Sequence, residues 1–338
     1  MYPQSVVYLF GAGTTMAEAG HAGIENKLSL RGISEKVVQK AKKVSALNYL
    51  VGDISSENIV DIERYISLLE SLGIRKYADA ASKLKDMFCE CTQEGLIQGG
   101  KPIEPELAMA LLEMHNAADI SKIEQLKGII TLNYDNLLDR AFNKVLGGVN
   151  FGIAWNRKFG KYKISEQGPV LIKLHGSFNW KHDFPIRVID QGKGAGEQEE
   201  MIWVPPGIQK EVNRYPFNLL WGKAFELLDC DLLRIAGCSL SQNDWALMSL
   251  LFFSQLKSDH GYQIELINSH EEGMNIRQAN GFLKHVKVLG ELDNCQEYVD
   301  VPPKNVFETW LKIKLNSFLP QKIDRLQLKH VDKLMEWN

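Results

Sequence analysis

Five places in the chain set small or polar residues directly behind a short apolar run, and these hold its best prospects for chemistry. Gly11-Ala12-Gly13-Thr14-Thr15 follows Val6 to Phe10. Small residues let a backbone approach a phosphate closely, and the start of the next helix offers N–H groups to the anion. The same pattern serves a plain tight turn equally well. Thr131-Leu132-Asn133-Tyr134-Asp135 ends the run from Gly128. Asn133 carries a donor and an acceptor on one amide. Taken alone, Asn133 or Asp135 reads more simply as the cap of a following helix. His175, in Lys173-Leu174-His175-Gly176-Ser177, has the chemistry of a general base at neutral pH, and Gly176 would leave room for a substrate. A lone histidine among 8 is more often structural, and its position at a strand end raises the odds of a functional one. Ile235 to Leu240 offers Ser239 to a phosphate, or to a helix as a cap, with Asp244 soon after. Ile267-Asn268-Ser269 offers Asn268 to a ribose hydroxyl, or to a turn. Together the five suit a dinucleotide, and none carries a metal cluster.

The runs in front of these residues read as buried parallel strands: Val6–Phe10, Gly128–Leu132, Val170–Leu174, Leu232–Ala236 and Gln263–Ile267, with a sixth at His285–Leu289. Helical patterns follow several of them, at Asn136–Val145, Asp244–Leu256 and Glu271–Leu283. Alternation of this kind predicts an α/β fold, a Rossmann-like, doubly wound, mainly parallel sheet. Residues 33–127 break the alternation: Ile59, Ile62, Tyr65, Ile66 and Leu69 recur at helical spacing, as do Leu107, Ala110, Leu111 and Met114. The expected organisation is a nucleotide-binding core of residues 1–32 and 128–300, a large helical insertion at 33–127, and C-terminal helices at 301–338. Gly192 to Glu200 reads as a surface loop, and Pro302-Pro303 closes the sheet region. Val306, Trp310 and Ile313 mark one terminal helix; Ile323, Leu326, Leu334 and Trp337 mark a second. That second stripe must be buried somewhere, on the chain's own sheet or on another copy.

Composition narrows the classes. The chain has 338 residues, a formal charge of −3, 45% hydrophobic and 24% charged residues, which excludes a disordered chain. A slight acidic excess argues against a dedicated nucleic-acid binder. No apolar run approaches the ~18 residues of a membrane span. Met1 to Gly13 lacks a basic segment and is not expected to be a signal peptide. The 5 cysteines, Cys89, Cys91, Cys230, Cys238 and Cys295, form no CxxC pair, so a reduced, cytoplasmic protein without a zinc ribbon is expected.

The ordered series GAGTT, TLNYD, LHGS, AGCSL and LIN resembles the sirtuin superfamily. The resemblance covers the sheet core, about half the chain. It implies NAD as substrate and no metal. It further implies Gly11, Ala12, Gly13 and Thr15 as the pyrophosphate loop, Asn133 on the nicotinamide ribose and an attacking water, Asp135 near the nicotinamide and His175 as catalytic base. Ser239 and Asn268 would meet the phosphate and the adenosine ribose. Departures shape the function. Protein-deacylating sirtuins carry two CxxC pairs for zinc and a proline-aspartate-phenylalanine-arginine stretch after the glycine loop; here that region reads Glu18-Ala19-Gly20-His21-Ala22-Gly23. The pattern is closer to bacterial sirtuin-like NAD hydrolases of antiphage defence, which implies an NAD-depleting effector of abortive infection. It also implies a homo-oligomer with a companion such as a HerA-type ATPase, and no membrane or direct nucleic-acid partner. The alternatives are an NAD-dependent protein deacylase or ADP-ribosyltransferase, and a non-catalytic NAD or ADP-ribose sensor. Metal analysis of the purified protein is expected to find no stoichiometric zinc; one zinc per chain would restore the deacylase comparison.

Overall fold

The structure is a computed structural model, and it describes residues 2–24, 28–54, 61–155, 165–181, 186–188, 201–204, 212–241, 244–257, 261–288, 306–318 and 329–335. In chain order the elements are β1 (Gln4–Phe10), α1 (Ala12–His21), α2 (Leu30–Lys42), α3 (Ser45–Val51), α4 (Ile62–Ser71), α5 (Arg75–Gly95), β2 (Ile97–Gln98), β3 (Lys101–Pro102), α6 (Glu106–Asn116), β4 (Glu124–Thr131) and α7 (Leu137–Val145). They continue with β5 (Val170–Lys173), β6 (Gly176–Lys181), β7 (Arg187–Val188), β8 (Met201–Trp203), α8 (Phe217–Leu227), β9 (Leu232–Ala236) and α9 (Trp245–Lys257). Last come β10 (Gln263–Ile267), α10 (His270–Ala279), β11 (Val286–Val288), α11 (Val306–Phe318) and α12 (Lys329–Met335).

Strands without polar alternation are those that bury both faces. Val6 to Phe10 of β1 are all buried, as are Leu232, Leu233, Ile235 and Ala236 of β9. These become neighbours at the centre of a six-stranded sheet ordered β11-β10-β9-β1-β4-β5. Every pairing in it is parallel. The expected doubly wound α/β sheet is therefore observed. The chain leaves β1 for β4 and β5 on one side, then returns to β9, β10 and β11 on the other. The order reverses between β1 and β9, and such a switch point opens a crevice at the carboxyl ends of the strands. Register aligns those ends: Phe10 stands opposite Thr131 and Ala236, Ile267 opposite Ala236, and Thr131 opposite Lys173. A second, three-stranded sheet, β7-β6-β8, follows β5 directly.

Two compact units account for the chain: residues 1–21, 104–203 and 212–338 form one, and residues 22–103 and 204–211 the other. The helical segment expected at 33–127 is thus divided differently, because α6 and the start of β4 belong with the sheet. The reason lies in α6 itself, where Leu107 to Leu112 and Met114 are all buried, so most of its circumference is apolar and suited to a deep position. In the smaller unit, α2 buries Ile33, Val37 and Val38, α4 buries Ile62, Ile66 and Leu69, and α5 buries Ala81, Leu84 and Phe88. Asp61 caps α4 by accepting from Glu63 N and Arg64 N at 3.0 and 3.2 Å.

The stripe expected on the last helix is partly accounted for. Leu334 and Val331 are buried within the single chain, where Glu113 of α6 accepts from the first N–H groups of α12, His330 at 2.8 Å and Val331 at 3.0 Å. Burial in the chain's own unit removes Leu334 from the argument for an interface. Ile323, Leu326, Trp337, Pro302-Pro303, Cys295 and the loop expected at Gly192 to Glu200 lie outside the described residues. Among the described residues no helix is long and apolar enough to cross a membrane.

A cluster of charges crosses the middle of the sheet. Arg234 of β9 is 1% exposed and makes a two-point bond to Glu124 of β4, at 2.6 and 2.8 Å, across β1. Its Nε donates to Glu265 of β10 at 2.8 Å, and its Nη1 also donates to the Tyr8 hydroxyl at 3.0 Å. Lys314 of α11 adds a contact to Glu124 at 2.9 Å, and Trp310 lies 5.4 Å from the guanidinium. Burial raises the Glu124 carboxyl, but hydrogen bonds and charge from Arg234 and Lys314 outweigh it and hold it at about 2. Burial and the Arg234 charge push His115, bonded to the Tyr8 hydroxyl at 2.8 Å, down to about 3, so its ring is neutral. Removing one member of a buried pair strands the other charge. Arg234→Met is therefore expected to cost about 3–5 kcal/mol in a urea unfolding experiment; a loss below about 1 kcal/mol would show that the cluster is dispensable.

Candidate functional site

Where the sheet order reverses, the turns after β1 and β9 touch backbone to backbone. A Cβ on Gly13 would lie 2.6 Å from Gly237 Cα, and one on Gly11 would lie 2.6 Å from Gly237 O. Gly237 itself has φ +57°, and its Cβ would meet Thr14 N at 2.5 Å. Gly13 N donates to Gly237 O at 2.9 Å and Thr14 N to Gly11 O at 3.0 Å. The glycines expected to admit a phosphate are thus demanded first by this close approach, and two N–H groups of the turn are already committed. Ala12 is exposed and Thr15 half-buried at the rim, and Ser239, past the end of β9, is exposed.

Asn133 is held by this same turn. Its backbone N–H bonds to Thr131 Oγ1 at 3.1 Å. Its Nδ2 lies 2.9 Å from Gly11 O, 3.2 Å from Thr14 Oγ1 and 3.0 Å from Thr15 Oγ1. A carbonyl only accepts, so the Gly11 contact fixes the amide orientation and leaves Oδ1 as its other, accepting end. Asn133 is therefore not the cap of α7. The N-cap position of α7 is Asn136, which makes no side-chain cap bond, and Asp135 just before it accepts from Leu137 N at 3.0 Å through Oδ1 and from Thr15 Oγ1 at 2.6 Å through Oδ2. At 8% exposure and with both oxygens engaged, Asp135 joins α1 to α7.

His175 stands two residues past the end of β5, as Asn133 stands two past the end of β4, and Thr131 pairs with Lys173 at those two ends. It is 3% exposed. Tyr134 lies with its ring centroid 6.0 Å from the imidazole, and Trp203 packs edge-on to Tyr134 at 4.8 Å. Nε2 of His175 is 3.8 Å from Asp244 Oδ2. Asp244 also opens α9, where Oδ1 accepts from Leu247 N at 3.1 Å. Beneath His175, Lys173 is fully buried, paired with Asp139 at 2.9 Å and hydrogen-bonded to the Asp135 carbonyl. Gly176 does not make room for a substrate as expected: with φ +76°, its missing side chain is needed because the backbone of Ile202 and Trp203 in β8 passes against it.

Asn268 follows β10 at 4% exposure, with Nδ2 3.4 Å from Cys238 O and Oδ1 buried without a partner among the described residues. An orphaned carbonyl oxygen suits a ligand hydroxyl donor. The structure thus brings Gly11, Gly13, Thr15, Asn133, Asp135, His175 and Asn268 to one edge of the sheet. A cavity of about 280 Å³, lined by Gln4, Asp231, Tyr262 and His285 among others, lies at the opposite, amino ends of the strands. Sequence reasoning assigned no role to Thr14, Tyr134, Lys173 or Asp244. Only Asp244 left a signal, an acidic residue one position ahead of an apolar helix. Among the described residues no group of three or more His, Cys, Asp or Glu side chains could hold a metal ion.

The SIR2-like domain model matches residues 127–280. That segment runs from β4 through α10 and contains Asn133, His175, Ser239 and Asn268; the glycine turn after β1 lies before it. The match supports the resemblance to the sirtuin superfamily. No curated protein matches the chain. Among solved structures, two ADP-ribose complexes of mutants of a Sir2 homologue show 14% identity and a TM-score of 0.44. A third such complex shows 13% and 0.42. Each alignment covers 99% of this chain and 94% of the other, a loose likeness.

Helix α6 is tied to α1 ahead of the matched segment. Glu18, 4% exposed on α1, accepts from Leu107 N and Ala108 N at 3.1 and 2.7 Å, at the start of α6. Burial pushes its carboxyl up to about 8, and the two N–H donors pull the other way without prevailing. Between the ordinary value of 4.5 and about 8 the folded protein holds a proton that the unfolded chain has released. Stability from Glu18 is then full below pH 4.5 and is lost as pH rises through 8. The advantage in unfolding free energy of wild type over Glu18→Gln, read from urea unfolding, is expected to shrink between pH 5 and 8, at up to ~1.4 kcal/mol per pH unit, and to level off above. A constant difference would show that Glu18 does not titrate in this range.

Proposed function

We propose that this chain hydrolyses NAD at the nicotinamide N-glycosidic bond, giving nicotinamide and ADP-ribose. The observation that carries the proposal is the placement of Asn133 and His175 on adjacent strand ends at the switch point, with the Asn133 amide held by the turn after β1. The match of residues 127–280 to the SIR2-like domain model adds support.

The chemistry asks little of an acid. Nicotinamide leaves as a neutral ring from a cationic one, so it needs no proton, and the ribose passes through an oxocarbenium-like state. What remains is to fix the ribose, exclude bulk water and take a proton from the attacking water. Asn133 Oδ1 would hold the ribose hydroxyl or the water, and His175 would accept the proton. Asn268 Oδ1 would take a hydroxyl of the adenosine ribose, and Ala12, Thr15 and Ser239 at the rim would line the phosphates. In a cell such an activity depletes NAD. We extend the proposal to an antiphage effector whose activity is set by assembly with its own copies or a companion ATPase; this extension rests on the resemblance alone.

The test is chromatography of NAD incubated with purified protein. Nicotinamide and ADP-ribose are expected without any acylated peptide; nicotinamide released only with an acyl-lysine peptide would establish a deacylase. His175→Ala is expected to lower turnover ~100- to 10,000-fold, the usual worth of a positioned base. Asn133→Ala is expected to abolish turnover and also to cost ~1 kcal/mol of stability for each bond lost to the glycine turn. Full activity in His175→Ala, with an unchanged melting temperature, would remove His175 from the mechanism.

A further inference from the structure

We infer that Asp244 is the positioning residue of His175, and that the first turn of α9 is therefore part of the working site. This rests on His175 acting as the base in the reaction proposed above.

A base that accepts a proton becomes a cation, and a buried cation needs a partner. His175 is 3% exposed, so bulk water supplies little of that support. The Asp244 carboxylate, 12% exposed, places Oδ2 at 3.8 Å from Nε2. This is an ion-pair separation, longer than a hydrogen bond. The other oxygen, Oδ1, is anchored by Leu247 N at 3.1 Å, and the Asp244 backbone N–H bonds to Ser241 O at 2.9 Å. The carboxylate is thus fixed on a rigid helix start, and only one of its oxygens is turned to the imidazole. The phenol-bearing ring of Tyr134 faces the imidazole from the β4–α7 turn. Lys173, on β5 itself, is engaged with Asp139 and the Asp135 carbonyl. Asp135 is engaged with Thr15 and Leu137. Among the described residues Asp244 is thus a carboxylate placed to orient the ring and to support its charge as the proton arrives.

Asparagine caps a helix as well as aspartate does but carries no charge. Asp244→Asn therefore keeps the cap and removes the electrostatic role, whereas Asp244→Ala removes both. The experiment measures kcat/KM for NAD cleavage from pH 5 to 9 in wild type, Asp244→Asn and Asp244→Glu. In parallel, the histidine titrations are followed by NMR, with His175→Gln assigning the signal. Asp244→Asn is expected to keep the wild-type melting temperature and to move both the acid limb and the His175 titration down by about one pH unit, as loss of a nearby opposite charge requires. Asp244→Glu is expected to restore both in large part. A His175 titration unchanged in Asp244→Asn would overturn the inference, since a purely capping residue predicts that result. A shifted titration in a protein that cleaves no NAD would uphold the pairing and refute the reaction instead.

Discussion

Everything at the carboxyl edge of this sheet depends on how closely the turns after β1 and β9 approach. Gly13 and Gly237 meet at a separation that no side chain on either would allow. The contact fixes the first turn of α1, and that turn in turn presents Gly11 O, Thr14 Oγ1 and Thr15 Oγ1 to the Asn133 amide. Asn133 thus owes its orientation to glycines more than a hundred residues away on both sides of it in sequence. A methyl group at position 13 or 237 would have to push β1 from β9 and would disturb Asn133 without touching it. The crevice is built from backbone, with polar side chains added at its rim.

Two kinds of polar burial divide the sheet. Around Arg234 the charges neutralise one another and tie β1, β4, β9, β10 and α11 together through bonds to Glu124, Glu265 and the Tyr8 hydroxyl. At the carboxyl edge two amides and a carboxylate meet at the crevice. Asn133 is held by Nδ2, Asn268 by Nδ2 with Oδ1 unpartnered, and Asp244 by Oδ1 with Oδ2 turned to His175. Groups satisfied on both sides stabilise a fold, whereas groups satisfied on one side are ready for a ligand or a proton.

The strands were legible because their apolar runs are continuous and end at small or polar residues. All six of the expected sheet strands are present, and each ends on the expected residue or within one of it. β4 begins at Glu124, earlier than its apolar run, because its first half alternates Glu124, Gln125, Leu126 and Lys127, and the buried Glu124 needs Arg234, 110 residues on. Nothing local to either residue announces that pair. The capping roles of Asn133 and Asp135 were indistinguishable in sequence, since both types cap; only the three-dimensional turn separates them. The link between Asp244 and His175 was invisible for the same reason, joining a helix start to a strand end across 69 positions of chain.

Lys173 carries a consequence for how the chain finds this arrangement. In a strand, moving the pairing by one residue sends each side chain to the opposite face. β5 is short, four residues, and its apolar Val170, Leu171 and Ile172 would tolerate such a slip. Lys173 would not: its ammonium would leave Asp139 and the Asp135 carbonyl and be buried without an acceptor, a penalty of several kcal/mol. The buried lysine therefore acts as a key that admits a single alignment of β5 on β4. Because His175 is two residues further along, the alignment that satisfies the lysine is the one that sets the imidazole beside Asn133.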